Sequence, residues 1–400
     1  MEKTIRMMAL VVFMLLLANG AAMAVAPGPE SDPNDVYWDD AFALRGVNGI
    51  INAIVRDAAG NVYVGGDFTR AGGVAANNIA KWDGKTWSAL GTGFGNIVCA
   101  LALDSSGNLY AGGVFTDAGG VAANRVAKWD GTSWSPIGSG MNDTVRALAL
   151  DSSGNLYAGG IFTTAGGVPA NAVAKWDGAE WSDMGNGTPY IYALAVDASD
   201  TLYAGGYHTF SRRRADETAW TPLAASIGGS VKALALDGLG NVYAGGDFIG
   251  VNSATINYLA KWDGTAISGL SAETTGSINA LAMEASGTLY VGGAFVMAGA
   301  VTVNNVAIWN GTAWSALGTG VNNTVNALAF GDAGNLYAGG QFTTAGGVSA
   351  NCMAHWNGTA WEGLANTGGF MSASVFASAT DGFGNVYAGG NFATAAPRAS

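Results

Sequence analysis

Residues 145–185 read V-R-A-L-A-L-D-S-S-G-N-L-Y-A-G-G-I-F-T-T-A-G-G-V-P-A-N-A-V-A-K-W-D-G-A-E-W-S-D-M-G. Four short strand signals lie in this one stretch. Residues 145–151 alternate around small and aliphatic side chains, and Asp-Ser-Ser-Gly then makes a hairpin turn in which Asp151 can cap backbone N–H groups. Residues 155–162 read as a second strand, A-G-G-V-P-A-N as a glycine-rich loop, and residues 172–176 as a third strand. Asp177-Gly178 is another hairpin turn, and residues 181–185 are a fourth strand. Nowhere does an apolar helical period run long enough for a helix.

The same unit recurs along the chain. Its turn glycine stands at 60, 107, 154, 240, 287, 334 and 384, with Asp200 in its place once, and 107 − 60 and 154 − 107 both equal 47. Four antiparallel strands repeated at this period are the blades of a propeller. Large side chains must fill the wedges between blades, and the aromatics supply them. All 13 Trp fall on third and fourth strands, seven in the position of Trp82 and six in that of Trp87. Tyr63, Tyr110, Tyr157, Tyr203, Tyr243, Tyr290, Tyr337 and Tyr387 mark one spot of the second strand. Such uniform recurrence beside hairpins favours packing over sugar stacking for these rings.

The expected fold is therefore all-β, a single closed β-propeller. Repeats run near 50–96, 97–143, 144–189, 190–229, 230–276, 277–323 and 324–372. Residues 373–392 carry only first- and second-strand signals, while 34–46 look like strands three and four, so the two together complete an eighth four-stranded blade shared by both termini. That closure removes both free sheet edges. The alternative is seven blades plus a partial repeat.

The Tyr157–Gly160, Lys175–Gly178 and Trp181-Ser182 segments resemble kelch and galactose-oxidase-type blades, with a double glycine ending strand two and a Trp in strand four. The hairpin over residues 149–155 resembles NHL-type blades, and the F-T-x-A-G-G…W-D-G-x-x-W pattern is similar to exported bacterial propeller repeat proteins and to fungal bud-site cortical markers. The resemblance covers residues 36–392 and implies fold far more than function. Galactose oxidase chemistry is not carried over, because the only histidines, His208 and His355, fall in separate blades.

Residues 1–24 read as a signal peptide: Lys3 and Arg6 precede an apolar run over 7–17, and Ala22-Met23-Ala24 is a small-x-small cleavage site. The run is short for a membrane span, so no span is expected after cleavage, and residues 25–33 form a linker. Loss of Glu2, Lys3 and Arg6 leaves 15 basic and 28 acidic residues, a charge of 15 − 28 = −13. An acidic exported chain argues against nucleic-acid partners. A monomer, secreted or otherwise extracytoplasmic, is expected. Cys99 and Cys352 lie in non-adjacent repeats on different strands and are expected to be free thiols.

In a propeller, the loops between strands two and three and those leading into the next blade share one face. Repeat-to-repeat variation concentrates on that face. The second residue of strand one is Asn52, Cys99, Arg146, Tyr192, Lys232, Asn279, Asn326 and Phe376 in turn, a ring around the mouth of the channel. The residue after the double glycine is Asp67, Val114, Ile161, Tyr207, Asp247, Ala294, Gln341 and Asn391. Varied polar positions on a uniform scaffold are candidates for ligand contact, against the plainer reading of a hydrated funnel. The candidate binding residues are Asn52, Asp67, Arg146, Tyr192, Tyr207, His208, Lys232, Asp247, Asn279 and Asn326.

The fourth repeat departs from the pattern. Its step to the next unit is 240 − 200 = 40, so seven residues are gone between strands two and three. His208 stands where the other copies have Phe, and Arg212-Arg213-Arg214 follow. With Arg146, Tyr192 and Lys232 nearby in the ring, the sector reads as a shallow anion-binding notch suited to a carboxylated glycan or an acidic peptide, with plain repeat decay as the alternative.

No Ser-His-Asp order, paired-carboxylate motif, phosphate loop or zinc spacing appears, so no catalytic residue, metal or cofactor is expected. The Asp-x-x-Gly turns suit Asx-turns better than calcium loops. The expected function is a secreted non-enzymatic recognition or scaffold protein that binds glycan or protein on the channel-mouth face. The alternatives are a propeller hydrolase or lyase acting on extracellular polysaccharide, which would need a funnel carboxylate with a perturbed pKa, and a passive cell-surface component.

Overall fold

The computed structural model describes residues 50–363, apart from 58, 60, 72–73, 84–85, 186–189, 271–272, 285, 331–335 and 351–352, together with 375–380 and 386–390. Among the described residues every regular element is a β-strand. The expected signal peptide, linker and N-terminal half-blade lie outside them, as does Cys352, while Cys99 is a free thiol.

Seven antiparallel sheets hold four strands each, joined up-and-down in chain order. Their innermost strands are Ile50–Arg56, Val98–Leu103, Val145–Leu150, Ile191–Val196, Val231–Leu236, Ile278–Met283 and Val325–Phe330. Each lies beside the next, and Val375–Thr380 lies between the last of these and the first, so the ring closes. The chain is a β-propeller. Val375–Thr380 pairs with Val386–Gly390 alone among the described residues. The arrangement is thus seven four-stranded blades with a partial repeat, in line with the second expectation and not with eight four-stranded blades. Residues 373–392 contain only two strand signals, and the 34–46 segment expected to add the other two lies outside the described residues.

The double glycine sets the spacing of the ring. A Cβ on Gly112 would come within 2.5 Å of Val145 Cγ1 in the next blade, and one on Gly159 within 2.7 Å of Ile191 Cγ2. The second glycine meets its own blade: a Cβ on Gly160 would lie 2.1 Å from the Thr144 carbonyl oxygen. Only glycine lets the inner strand of one blade nest against the second strand of its neighbour.

Tryptophan closes the outer seams. Trp134, Trp181 and Trp361 each donate their indole N–H to a carbonyl at the end of the preceding blade, Leu90 at 2.9 Å, Ile137 at 2.8 Å and Leu317 at 2.7 Å. Each also packs on the strand-three Trp of its own blade, as Trp176 does on Trp181 with ring centroids 5.5 Å apart. These indoles are buried structural members, as their recurrence suggests.

On the face away from the mouth, the Asp turns are closed by side chains. Asp104 Oδ1 accepts from the Ser106 and Asn108 N–H groups, and Oδ2 from Asn108 Nδ2 at 2.7 Å and the Tyr110 hydroxyl at 3.1 Å. Asp57 with Tyr63, Asp151 with Tyr157 and Asp197 with Tyr203 repeat the bond. Burial, joined by the adjacent carboxylate, pushes the Tyr63, Tyr110 and Tyr203 phenols up to about 12. The carboxylate oxygens are occupied by turn hydrogen bonds, which is the Asx-turn reading of this motif.

Candidate binding face

The variable second residue of strand one has a structural basis that the repeat alone does not reveal. In every inner pair the register slips there: Val145 faces Gly160 and Ala147 faces Gly159, which leaves Arg146 as the extra residue of a β-bulge. The same slip isolates Asn52, Cys99, Tyr192, Lys232, Asn279 and Asn326. A bulged residue belongs to neither face of the sheet ladder and is re-aimed outward, so it escapes the packing constraint on its neighbours. The residue after the double glycine is held at the same rim, because its N–H donates to the carbonyl preceding the bulge pair, as Tyr207 N does to Tyr190 O at 3.0 Å and Asp247 N to Ser230 O at 3.1 Å.

Successive ring positions meet from blade to blade. Asn52 Nδ2 donates to Val98 O at 3.0 Å, and Asn279 Nδ2 to Asn326 Oδ1 at 3.3 Å. These amides lace one bulge to the next and serve the scaffold first. Arg146 lies over the Tyr192 ring at 5.8 Å, and its charge also reaches Cys99, whose thiol burial pushes up while the guanidinium pulls it down. Lys232 is committed to Asp247, with Nζ 3.0 Å from Oδ2, and Asp247 Oδ1 also accepts from Ser230 N at 2.7 Å. Burial raises the Asp247 carboxyl, but the Ser230 and Lys232 contacts outweigh it and hold it below its ordinary value. A carboxylate so held is a poor proton donor near neutrality. Asp67 is exposed at the end of strand Val62–Asp67, opposite Ile50.

The Arg212-Arg213-Arg214 run does not join this ring. Strand Thr209–Arg213 descends from the mouth, so Arg213 pairs with Leu202 at the Asp-turn end. Arg212 is ion-paired to Glu217 at 3.3 Å, and Arg213 Nη1 donates to the Met184 carbonyl at 2.6 Å, the same oxygen that takes the Trp220 indole N–H. The expected basic sector is therefore reduced: its arginine triplet is spent on seams and turns, and its lysine is neutralised.

No protein-family model and no curated protein matches the sequence. Among solved structures, the chain is similar to the WD40 β-propeller domain of Doa1, at 11% identity, 88% coverage of this chain and 93% of that one, with a TM-score of 0.47. It is also similar to the extracellular domain of the putative hybrid two-component system BT3049 from B. thetaiotaomicron, at 13% identity, 86% and 44% coverage and a TM-score of 0.46.

At blade four the mouth face changes character. Blades one, two, three, six and seven carry a small two-stranded hairpin between strands two and three, as in Thr164–Ala165 with Val168–Pro169, and blade five extends both strands to do the same. The hairpins grip the loop leaving the preceding blade, for example through Gly166 N to Gly140 O at 2.8 Å. Blade four has only the Tyr207-His208 turn between the paired Gly206 and Thr209, with His208 at φ 55°. Tyr190 and Tyr207 are left 42% and 45% exposed. Their rings stand 6.2 Å apart at 81°, and Tyr207 meets His208 at 4.0 Å. Sequence reasoning missed Tyr190. The signal was there, since the equivalent places in blades three, five, six and seven hold Thr144, Ser230, Ser277 and Thr324.

Proposed function

We propose that the chain is a secreted, non-enzymatic recognition or scaffold protein that binds an extracellular glycan or protein on its channel-mouth face, as a monomer and without a cofactor. The observation that carries this reading is the bulge. It sets one side chain from each blade, Asn, Cys, Arg, Tyr or Lys, on one rim while most of the repeat stays uniform, which is how a scaffold separates stability from specificity. The charged signal-like leader and the resemblance of the repeat to exported propellers support export.

The test is capture by immobilised full chain from glycan arrays and from extracellular extracts. The Asn52→Ala/Arg146→Ala/Lys232→Ala variant is expected to lose the captured ligand. Leu239→Lys, at an exposed position on the opposite face, is expected to keep it. Equal capture by both would refute the mouth-face assignment.

A further inference from the structure

We infer that the blade-four notch is a subsite for a carboxylate-bearing saccharide, with Tyr190, Tyr207 and His208 as its aromatic wall and Arg146 as its anion pole. The inference rests on the mouth-face reading and narrows it to one place and one ligand chemistry. Three observations carry it. The missing hairpin uncovers, in this blade alone among the seven, Tyr190 and Tyr207, where the others hold Ile, Thr or Ser at the first place and Asp, Val, Ile, Ala or Gln after the double glycine. Those rings are exposed and meet one another: the Tyr207 ring packs edge-on to Tyr190 and His208, the Tyr207 backbone donates to Tyr190 O, and His208 is held by N–H to Gly229 O at 2.8 Å and by Nδ1 at 2.7 Å from Ile227 O.

The third observation is charge. Arg146 makes no ion pair among the described residues, unlike Lys232, and its guanidinium lies on Tyr192, two residues from Tyr190. A guanidinium stacked on a ring keeps its planar edge of N–H donors for a bidentate carboxylate, and the protein around it is acidic. Tyrosine rings offer an apolar face to the C–H surface of a pyranose and a hydroxyl at the rim. A protein partner would need a contact of several hundred Å² with an apolar centre. Here Tyr207 bridges to Ser230 and His208 N donates to Gly229 O, with Asp247 accepting from Ser230 N, and these small and polar neighbours suit one or two sugar units better.

The experiment is calorimetric titration of the full chain with tetragalacturonic acid and with a neutral galacto-oligosaccharide of equal length. Wild type is expected to bind the acid and to bind the neutral sugar more weakly. Tyr190→Ala, Tyr207→Ala and Arg146→Ala should each weaken binding by about tenfold, while Tyr207→Phe stays within about twofold and Arg146→Lys falls between. The tyrosines are half-exposed, so the variants should melt as wild type does. If one does not fold, the other and Arg146→Lys carry the test.

No binding of the acid by wild type, or equal binding by all variants, overturns the subsite. So does a protein partner whose capture the tyrosine substitutions abolish while no sugar binds. The wider reading fails separately: it falls if neither the notch variants nor Asn52→Ala/Lys232→Ala changes capture of any ligand, and it survives a failed subsite if only the latter pair does.

Discussion

Blades three and four share the pairing of their two inner strands, bulge included, and the double glycine, and their largest difference is the connection between strands two and three. In blade three that connection is a hairpin whose Gly166 sits where a Cβ would strike Trp181 at 2.8 Å. In blade four it is two residues long. Phe162 reaches back into the previous seam, and His208 takes that place in blade four: the buried cluster between blades three and four holds Met184, Ile191 and Leu202 but no phenylalanine among the described residues. Phe210 instead sits opposite Gly205 and fills the seam toward blade five with Leu223, Ile227 and Phe248. Where blade three has Phe162 in the seam behind it and Val173 opposite Gly159, blade four has His208 at the exposed rim and Phe210 opposite Gly205.

The largest test of that comparison is the pair Phe162→Ala and Phe210→Ala. Both rings are buried to within 1% of completely, and each substitution should cost about 3–5 kcal/mol in chemical denaturation. A mild Phe210→Ala would mean that Phe210 is not what fills the seam toward blade five. Next come Gly159→Ala and Gly205→Ala, whose new Cβ atoms would lie 2.7 Å from Ile191 and 2.5 Å from Val231. Both should cost about 1–3 kcal/mol and by similar amounts, because the ring spacing is the same at both seams.

A smaller and unequal effect is expected from the seam indoles. Trp181→Phe leaves the buried Ile137 carbonyl without its donor and should cost about 1–3 kcal/mol. Trp220→Phe should cost less, since Arg213 continues to donate to Met184 O. Per residue the smallest effect is alkaline. A phenol whose folded pKa is raised from 10.0 to about 12 lends its stability in full below pH 10 and loses it as pH rises toward 12. Melting temperature should therefore fall over that window. Tyr110→Phe and Tyr203→Phe should flatten the fall to a similar extent, since both hydroxyls donate to the turn carboxylate, Asp104 and Asp197, and both phenols are pushed up to about 12.

Hydrogen exchange ranks the seams independently. With no phenylalanine in its seam, the interface between blades three and four should open first, and amides of Ile191–Val196 should exchange faster than those of Val145–Leu150.

Much of the scaffold was legible in the residues. Val145 to Gly185 shows four strands, their hairpins and their repeat, because strand period and turn chemistry are local properties. The ring of variable positions was also legible as variation. Its cause was not: the register slip that frees Arg146 and Tyr192 comes from how strand one meets the double glycine, and no residue in either strand announces a bulge. The blade-four anomaly was visible as a missing seven residues. Its content was misjudged in part, since Arg212 and Arg213 look like free cations in sequence and are partnered by Glu217 and by Met184 O in the fold.

Alone, the sequence determined that this chain is a propeller of short strands, that its turns are closed by Asp and Gly, and which positions are allowed to differ. Only the tertiary structure decided which of those differing side chains meet, which of them the scaffold consumes, and that a tyrosine pair stands uncovered at blade four. The physical reason is distance along the chain. Strand alternation and turns are settled within a few residues, whereas Arg146 on Tyr192, or Asn52 on the carbonyl of Val98, joins groups some 46 residues apart whose encounter exists only once the blades have packed around their axis.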